Sequence, residues 1–402
     1  MNNVSSKALG GGKKGLKLYG GWRVVVAGTG INFLVGVSYT WSIFAGGLSR
    51  QLGWSQTQAA LPYTVFIFCY ALAMVITGRI QDKLGPRLVI MAGSFFLSGA
   101  FILSSLFMTP SAVAAIWGLL YGIGVACCYG SVTPAAVKWF PPQKKGLVTG
   151  IVVTGVGLSA FVMAPAVNYL VGQGVERAFF IVGIVLLAGV FLLSQLICNT
   201  QADGVAPSGE RAERWYEILS FPQFYMLWVM FCFTTGAGIT FVTHLNRIVE
   251  VHTSFEKGYI MVALFAFFNA AGRLAAGLLS DLVGRRRAMT LVFSATTLTL
   301  FFVLYIYSPV LMGIAISILG LTYGGLYSLF PAITVSFFGE KNFGLNFGLI
   351  FTGLGAGGIF PLLAGYLFEL RGDFTGAFIL LLAICLAATI LSLVVKSPRT
   401  IS

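Results

Sequence analysis

The chain has 402 residues, of which 57% are hydrophobic and only 9% charged, with a mean hydropathy of +0.91. A soluble domain is about one quarter charged, and these few charges cannot solvate the surface of a 43.0 kDa globule, which excludes a cytosolic enzyme, a disordered chain and a secreted disulfide scaffold. The class that remains is a polytopic α-helical membrane protein, and the net charge of +13 sits in short stretches between apolar runs, where it reads as topology rather than nucleic-acid binding.

Residues 1–18 are polar, glycine-rich and basic, with no apolar core and no cleavage site. No signal peptide is expected, and the first apolar run should persist in the mature chain. A hydrocarbon core takes about 20 apolar residues per helix. Twelve such runs follow in chain order, at 22–48, 57–79, 88–108, 111–138, 145–171, 177–198, 223–249, 257–280, 287–307, 309–337, 343–368 and 374–395. One long polar connection interrupts them. It carries Asp203, Pro207, Glu210, Arg211, Glu213, Arg214 and Glu217, with a short amphipathic helix expected at 212–219. The organisation this predicts is a six-helix bundle over 1–198, a cytoplasmic linker over 199–221 and a second six-helix bundle over 222–402.

Placing the N-terminus inside puts nineteen Lys and Arg in the inner stretches and five, Arg50, Arg177, Arg247, Lys257 and Arg371, in the outer loops. This bias predicts cytoplasmic termini in a plasma or bacterial inner membrane. The cysteines, Cys69, Cys127, Cys128, Cys198, Cys232 and Cys385, lie in or beside apolar runs. None forms a CxxC pair or a Cys/His set at ligand spacing, so they read as small core residues and no metal is expected. No GxxxxGK[ST] motif occurs, so neither ATP nor another cofactor is expected.

The two halves repeat. Gly78, Asp82, Gly85 and Arg87 follow the second run, and Gly277, Asp281, Gly284 and Arg285 follow the eighth, with Gly78 and Gly277 199 residues apart. Trp139–Phe140, Gly146 and Gly150 recur 198 residues later as Phe337–Phe338, Gly344 and Gly348. Two matches at nearly one offset describe a duplicated six-helix unit.

The G-x-x-x-D-x-x-G-x-R pattern in both halves resembles the signature loop of the major facilitator superfamily. Tyr19–Gly20–Gly21–Trp22–Arg23 resembles the helix 1 entry of monocarboxylate transporters. Lys138–Trp139–Phe140–Pro141–Pro142 with Gly146 and Gly150, Gly36–Val37–Ser38–Tyr39–Thr40–Trp41, and Lys341–Asn342–Phe343–Gly344 are similar to the oxalate/formate antiporter family. The resemblance spans essentially the whole chain. It implies an all-α major facilitator fold of twelve transmembrane helices in two pseudo-symmetric bundles, with helices 1, 4, 7 and 10 lining a substrate cavity.

Arg273 is the one charged side chain well inside a run, eight residues before Asp281, or about 12 Å along a helix axis. An arginine at that depth is costly unless it faces protein or a water-filled cavity. Its guanidinium fork matches a carboxylate bidentately, so it reads as an anion anchor. The resemblance implies the same, since both related families carry a carboxylate-binding arginine in helix 8. Two features of those families are missing here. Animal monocarboxylate transporters have an Asp four residues before that arginine and a lysine in helix 1, where this chain has Asn269 and Ile43. The oxalate antiporter has a lysine in helix 11, whereas residues 346–369 contain no Lys or Arg and Leu354 aligns with that position. A single buried cation suits a single substrate charge, which favours a monocarboxylate over oxalate.

Tyr129 and Tyr327 lie 198 residues apart, at equivalent places of the repeat. Phenolic hydroxyls there are candidates for binding a carboxylate or an α-hydroxyl. Tyr323, one turn from Tyr327, Tyr121, two turns before Tyr129, and Tyr39 complete the tyrosine candidates. His244 is a candidate for substrate binding and for proton coupling, and Asn269, one turn before Arg273, for orienting the arginine or binding substrate. The glycines of helices 5 and 11 are expected to form close seams between rocking halves. The function these features predict is secondary transport of a small monocarboxylate such as lactate or pyruvate by proton symport, in a lipid bilayer, by a monomer. The alternative is carboxylate antiport of the oxalate/formate type. No catalytic constellation supports an enzyme.

Overall fold

A computed structural model describes residues 5–140, 142–198, 217–338 and 343–396. These are all-helical, and no strand occurs among the described residues. We number the helices α1 (Ser5–Val35, a 3-10 turn Gly36–Thr40, then Trp41–Leu52), α2 (Gln56–Leu84), α3 (Pro86–Leu106) and α4 (Pro110–Val113, a π turn Ala114–Gly118, then Leu119–Val137). After these come α5 (Pro142–Gln173), α6 (Val175–Ser194), α7 (Pro222–Thr253), α8 (Gly258–Val283) and α9 (Arg285–Val303). The last are α10 (Pro309–Phe338), α11 (Phe343–Gly357, then Ile359–Arg371) and α12 (Thr375–Val394). Eleven of the described helices are long and apolar enough to cross a membrane. The twelfth expected span is α9, which occupies its place against α8, α10 and α12. It falls short in composition because three arginines open it and Thr290, Thr296, Thr297 and Thr299 dilute it. The helix expected at 212–219 lies mostly outside the described residues, which begin again with a 3-10 turn at Glu217–Ser220.

Helix neighbours repeat at six-helix spacing. α1 packs on α5 as α7 does on α11, α2 on α4 as α8 on α10, and α3 on α6 as α9 on α12. Residues before and after the linker meet through α5 against α8 and α2 against α11, themselves an equivalent pair, and through α1 against α7. Without a hydrophobic force between helices in lipid, such seams rely on close backbone approach at small residues. A Cβ on Gly157 of α5 would stand 2.6 Å from the Ala270 Cβ of α8, and one on Gly355 of α11 3.0 Å from the Ala71 Cβ of α2. Gly155 instead closes α5 onto α1, 2.3 Å from the Thr29 carbonyl by the same measure.

The two signature turns have one conformation. Gly85 (φ 80°, ψ 156°) and Gly284 (φ 88°, ψ 148°) both occupy left-handed territory that favours glycine. Each donates its N–H back one turn, to Gln81 at 2.8 Å and Ser280 at 3.0 Å. The turns redirect the chain into α3 and α9. There Arg87 donates to the Gln195 side chain at the end of α6, and Arg286 donates to the Ser392 and Leu393 carbonyls at the end of α12. Arg286, rather than the expected Arg285, is therefore the counterpart of Arg87. Arg285 turns to the Ala332 carbonyl, 2.9 Å away. Gly277 has open space around it and Asp281 is exposed. The surroundings of Gly78 and the side chain of Asp82 lie outside the described residues.

Candidate functional site

The breaks in α1 and α11 flank the centre of the molecule. Gly36 stands at the α1 break, where α5 comes so close that a Cβ would lie 2.6 Å from the Val156 carbonyl. The 3-10 turn that follows carries Ser38 and Tyr39 inward. These two, with Tyr63 and Tyr70 of α2, Tyr129 of α4, Arg273 of α8 and Tyr323 and Tyr327 of α10, line a cavity of about 50 Å³. Val35, Phe66, Ile67, Val125, Val156 and Leu354 form its apolar wall. A space of that size admits about three to five water-sized groups.

Arg273 is 7% exposed and has no ion-pair partner among the described residues. Its Nη2 lies 3.5 Å from the Tyr39 hydroxyl and its Nη1 3.5 Å from the Val153 carbonyl, both at the outer limit of a hydrogen bond. Its Nε has no partner. The guanidinium carbon stands 4.9 Å from the centroid of the Tyr327 ring, within cation–π range. The Tyr323 and Tyr327 hydroxyls are bonded to each other at 2.9 Å, and the Tyr39 and Tyr323 rings meet at 6.4 Å. A buried cation with unused donors, among hydroxyls and beside an apolar wall, fits a small anion with an apolar body.

The structure brings together Arg273, Tyr39, Tyr129, Tyr323 and Tyr327. It places the other three candidates elsewhere. Tyr121 is fully buried, donates to the Val35 carbonyl at 2.6 Å and stacks on Trp117 at 4.7 Å, bracing α4 against the α1 break. His244 faces α11, where its Nε2 bonds the Pro361 carbonyl at 2.9 Å while Nδ1 has no partner. Asn269 is fully buried, but neither atom of its amide has a partner and it does not line the cavity. Tyr63, Tyr70 and Ser38 are cavity residues the sequence reading missed. The signal for the two tyrosines was their spacing of seven, which sets them on one helix face together with Phe66 and Ile67.

At the distal end, away from residue 394, the helices meet across the linker. Glu369 of α11 accepts from the Thr57 N–H of α2 at 2.7 Å. This finishes an N-terminus already capped by Ser55 and Gln58. Gly365 sits so close that a Cβ would be 2.8 Å from the Thr57 nitrogen. Arg247 of α7 pairs with Glu250 at 3.1 Å and lies 5.7 Å from the Phe368 ring centroid.

A two-fold repeated helical bundle, spanning a membrane many times and holding a cavity between its repeats, defines a multi-pass membrane transporter. The Major Facilitator Superfamily model matches residues 26–259 and 248–402, and the chain belongs to that family. It is 27% identical over 348 residues to the uncharacterized MFS-type transporter YhjX of Escherichia coli, covering 84% of this chain and 86% of that one. It is 27% identical over 338 residues to the oxalate:formate antiporter of Oxalobacter formigenes, covering 81% and 79% of the two chains. Against monocarboxylate transporter 13 of Rattus norvegicus it is 24% identical over 381 residues, covering 92% and 87%. Among solved structures, the nucleoside transporter NupG superposes with a TM-score of 0.74 at 10% identity, over 93% of this chain and 98% of that one. A bacterial homolog of the human lysosomal transporter Spinster, inward-facing and unoccupied, gives 0.68 at 15%, over 93% and 95%. These relatives and neighbours are transporters, not enzymes.

Proposed function

We propose that this chain moves small monocarboxylates such as lactate or pyruvate across a cell membrane by proton symport. The observation that carries the reading is the central cavity. It holds one guanidinium with free donors, several hydroxyls and an apolar wall, and among the described residues no Asp, Glu, Lys or second Arg lines it. The carboxylate pairs with Arg273. Tyr39 and the Tyr323–Tyr327 pair bond its oxygens or an α-hydroxyl, Tyr129 closes the cavity opposite, and Leu354 with its apolar neighbours receives the tail. A dianion would bring a second charge with no partner. Among the described residues no acid lines the cavity and His244 is engaged with Pro361, so the proton rides on the substrate carboxyl, which hydrogen-bonds Arg273 as the acid during the crossing and pairs with it as the carboxylate once the proton is released. Proton and substrate together cross the bilayer without net charge.

Residues 1–198 and 222–402 act as two bodies joined by the cytoplasmic linker 199–221, with both termini inside and one chain sufficient. They rock about the α5–α8 and α2–α11 seams, and the distal contacts around Glu369 are the closed outer gate. Likeness to the oxalate:formate antiporter supports the second reading, carboxylate exchange. Uptake of labelled lactate into proteoliposomes separates the two. Accumulation driven by an inward proton gradient and weakly inhibited by oxalate is expected. Uptake that ignores the gradient and requires internal oxalate or formate would replace symport with exchange.

A further inference from the structure

We infer that Ser328 is a positioning residue for Arg273. This rests on the reading of Arg273 as the substrate anchor, and its observation is the register of the α8–α10 seam. Carbonyls of α8 spaced by four residues, at Phe265, Asn269 and Arg273, face α10 positions with the same spacing, Gly320, Gly324 and Ser328. At the first two the backbones nearly touch. A Cβ on Gly320 would be 2.5 Å from the Phe265 oxygen, and one on Gly324 1.9 Å from the Asn269 oxygen. At the third, the Ser328 hydroxyl donates to the Arg273 carbonyl at 2.6 Å.

The repeat supplies an internal comparison. Gly122 meets the Phe66 carbonyl of α2 at 2.9 Å by the same measure, as Gly320 meets Phe265. Continuing that register, Gly130 stands where Ser328 does and Met74 where Arg273 does, and a Cβ on Gly130 would lie 3.2 Å from the Met74 sulfur. At this level of the two equivalent seams the hydroxyl bond belongs to the one that carries the guanidinium; the α2–α4 seam has its own hydroxyl bond at another position, from Thr77 to the Ala126 carbonyl at 3.3 Å. A serine inside a helix commonly turns its hydroxyl to its own preceding turn. Here it reaches across to the neighbouring helix.

The consequence is local. Ser328 follows Tyr327, whose ring lies under the guanidinium. Tying α10 to the Arg273 backbone fixes the anchor and the tyrosine pair in one register, so both keep their relation while the two halves rock. Without the tie, the Arg273 side chain samples more positions, and a bidentate carboxylate pair must be assembled from a looser start.

The test uses the full chain with Ser328→Ala, Ser328→Gly and Ser328→Thr. Two readouts are taken. One is the L-lactate concentration that half-saturates counterflow. The other is the rate at which phenylglyoxal, an arginine-selective reagent, modifies Arg273, followed by mass spectrometry with Arg50 as internal reference. We expect Ser328→Ala and Ser328→Gly to raise the lactate requirement several-fold at unchanged maximal rate and to speed modification of Arg273 but not of Arg50. Ser328→Thr, which keeps the hydroxyl, should track the parent protein. Unchanged Arg273 reactivity in Ser328→Ala, or an equal rise at Arg50, overturns the assignment. If the parent protein ignores lactate, formate and oxalate while Ser328→Ala still exposes Arg273, the positioning role stands and the carboxylate reading falls.

Discussion

Replacing Arg273 with glutamine removes the one cation that lines the central cavity among the described residues and keeps much of the side chain's reach. In the structure the guanidinium spends little of its donor capacity on the protein. It makes two contacts at 3.5 Å, and its Nε is unpartnered. Nearly all of its hydrogen-bonding energy is therefore available to a carboxylate. Removing one partner of a buried, hydrogen-bonded charge pair costs about 3–5 kcal/mol. At about 1.4 kcal/mol per decade this is a loss of roughly 10²- to 10⁴-fold in apparent affinity. Arg273→Lys keeps the charge but loses the fork and the flat approach to Tyr327. Losing about one charged hydrogen bond, or about 1.5–3 kcal/mol, predicts a loss of roughly 10- to 150-fold. Stability moves in the opposite direction, because a buried cation with no carboxylate partner is a cost to the fold. The glutamine variant should melt at or above the parent temperature. Counterflow of labelled lactate beside a thermal melt reads both quantities. A glutamine variant that melts normally and keeps the parent's lactate requirement would refute the anchor role of Arg273 and the substrate reading built on it.

Leu354→Lys places a second cation on the cavity wall, and oxalate should then compete with lactate at least about tenfold better, the worth of one modest charge-assisted bond; unchanged competition would mean that Leu354 does not face the substrate. His244→Gln should retain gradient-driven lactate accumulation, because His244 is bonded to Pro361 outside the cavity, and loss of the gradient's effect would return the proton to that histidine. Gly324→Ala forces a methyl to within 1.9 Å of the Asn269 carbonyl oxygen. Overpacking of this kind costs about 1–3 kcal/mol and should appear as a lower melting temperature, whereas alanine at Gly348, which has open space, should not. Glu369→Gln removes a charge from the N-terminus of α2, worth about 0.3–1 kcal/mol, so labelling of a cavity cysteine introduced at Ser38 by an impermeant thiol reagent from the distal side should rise about two- to fivefold. No rise would mean that the carboxylate does not hold the distal seam closed.

The spans were legible residue by residue because lipid leaves a chain few choices. Each backbone group must be satisfied within its own helix, so twenty apolar residues in a row declare a span wherever the helix later sits. The repeat was legible for the same reason. A turn that needs a left-handed residue admits few alternatives, so Gly85 and Gly284 mark equivalent positions without any knowledge of packing. Arg273 stood out because a charge at that depth is too costly to be incidental. Arg286 rather than Arg285 is the counterpart of Arg87, as the G-x-R spacing from Gly284 and the 199-residue offset both require, and its side chain reaches the end of α12.

Direction is what the linear pattern lacks. In a soluble helix the polar face announces which way the other face points. Helices such as α2, α4 and α10 are apolar nearly all round, so a tyrosine on any side looks alike in the sequence. Tyr121 and Tyr129 lie two turns apart on α4, yet one braces the α1 break and the other lines the cavity. The difference lies in where α1 bends, at Gly36, and how closely α5 presses on it there. Tyr63 and Tyr70 became cavity residues, and His244 and Asn269 did not, through the same contacts between helices far apart in the chain. Composition and spacing were enough to specify a twelve-helix duplicated membrane protein with one buried guanidinium, and the resemblance of its signature loops implied a transporter. Only the tertiary structure chose the hydroxyls that surround it, because helix rotation about its own axis is set by close approach to neighbours and leaves no local trace.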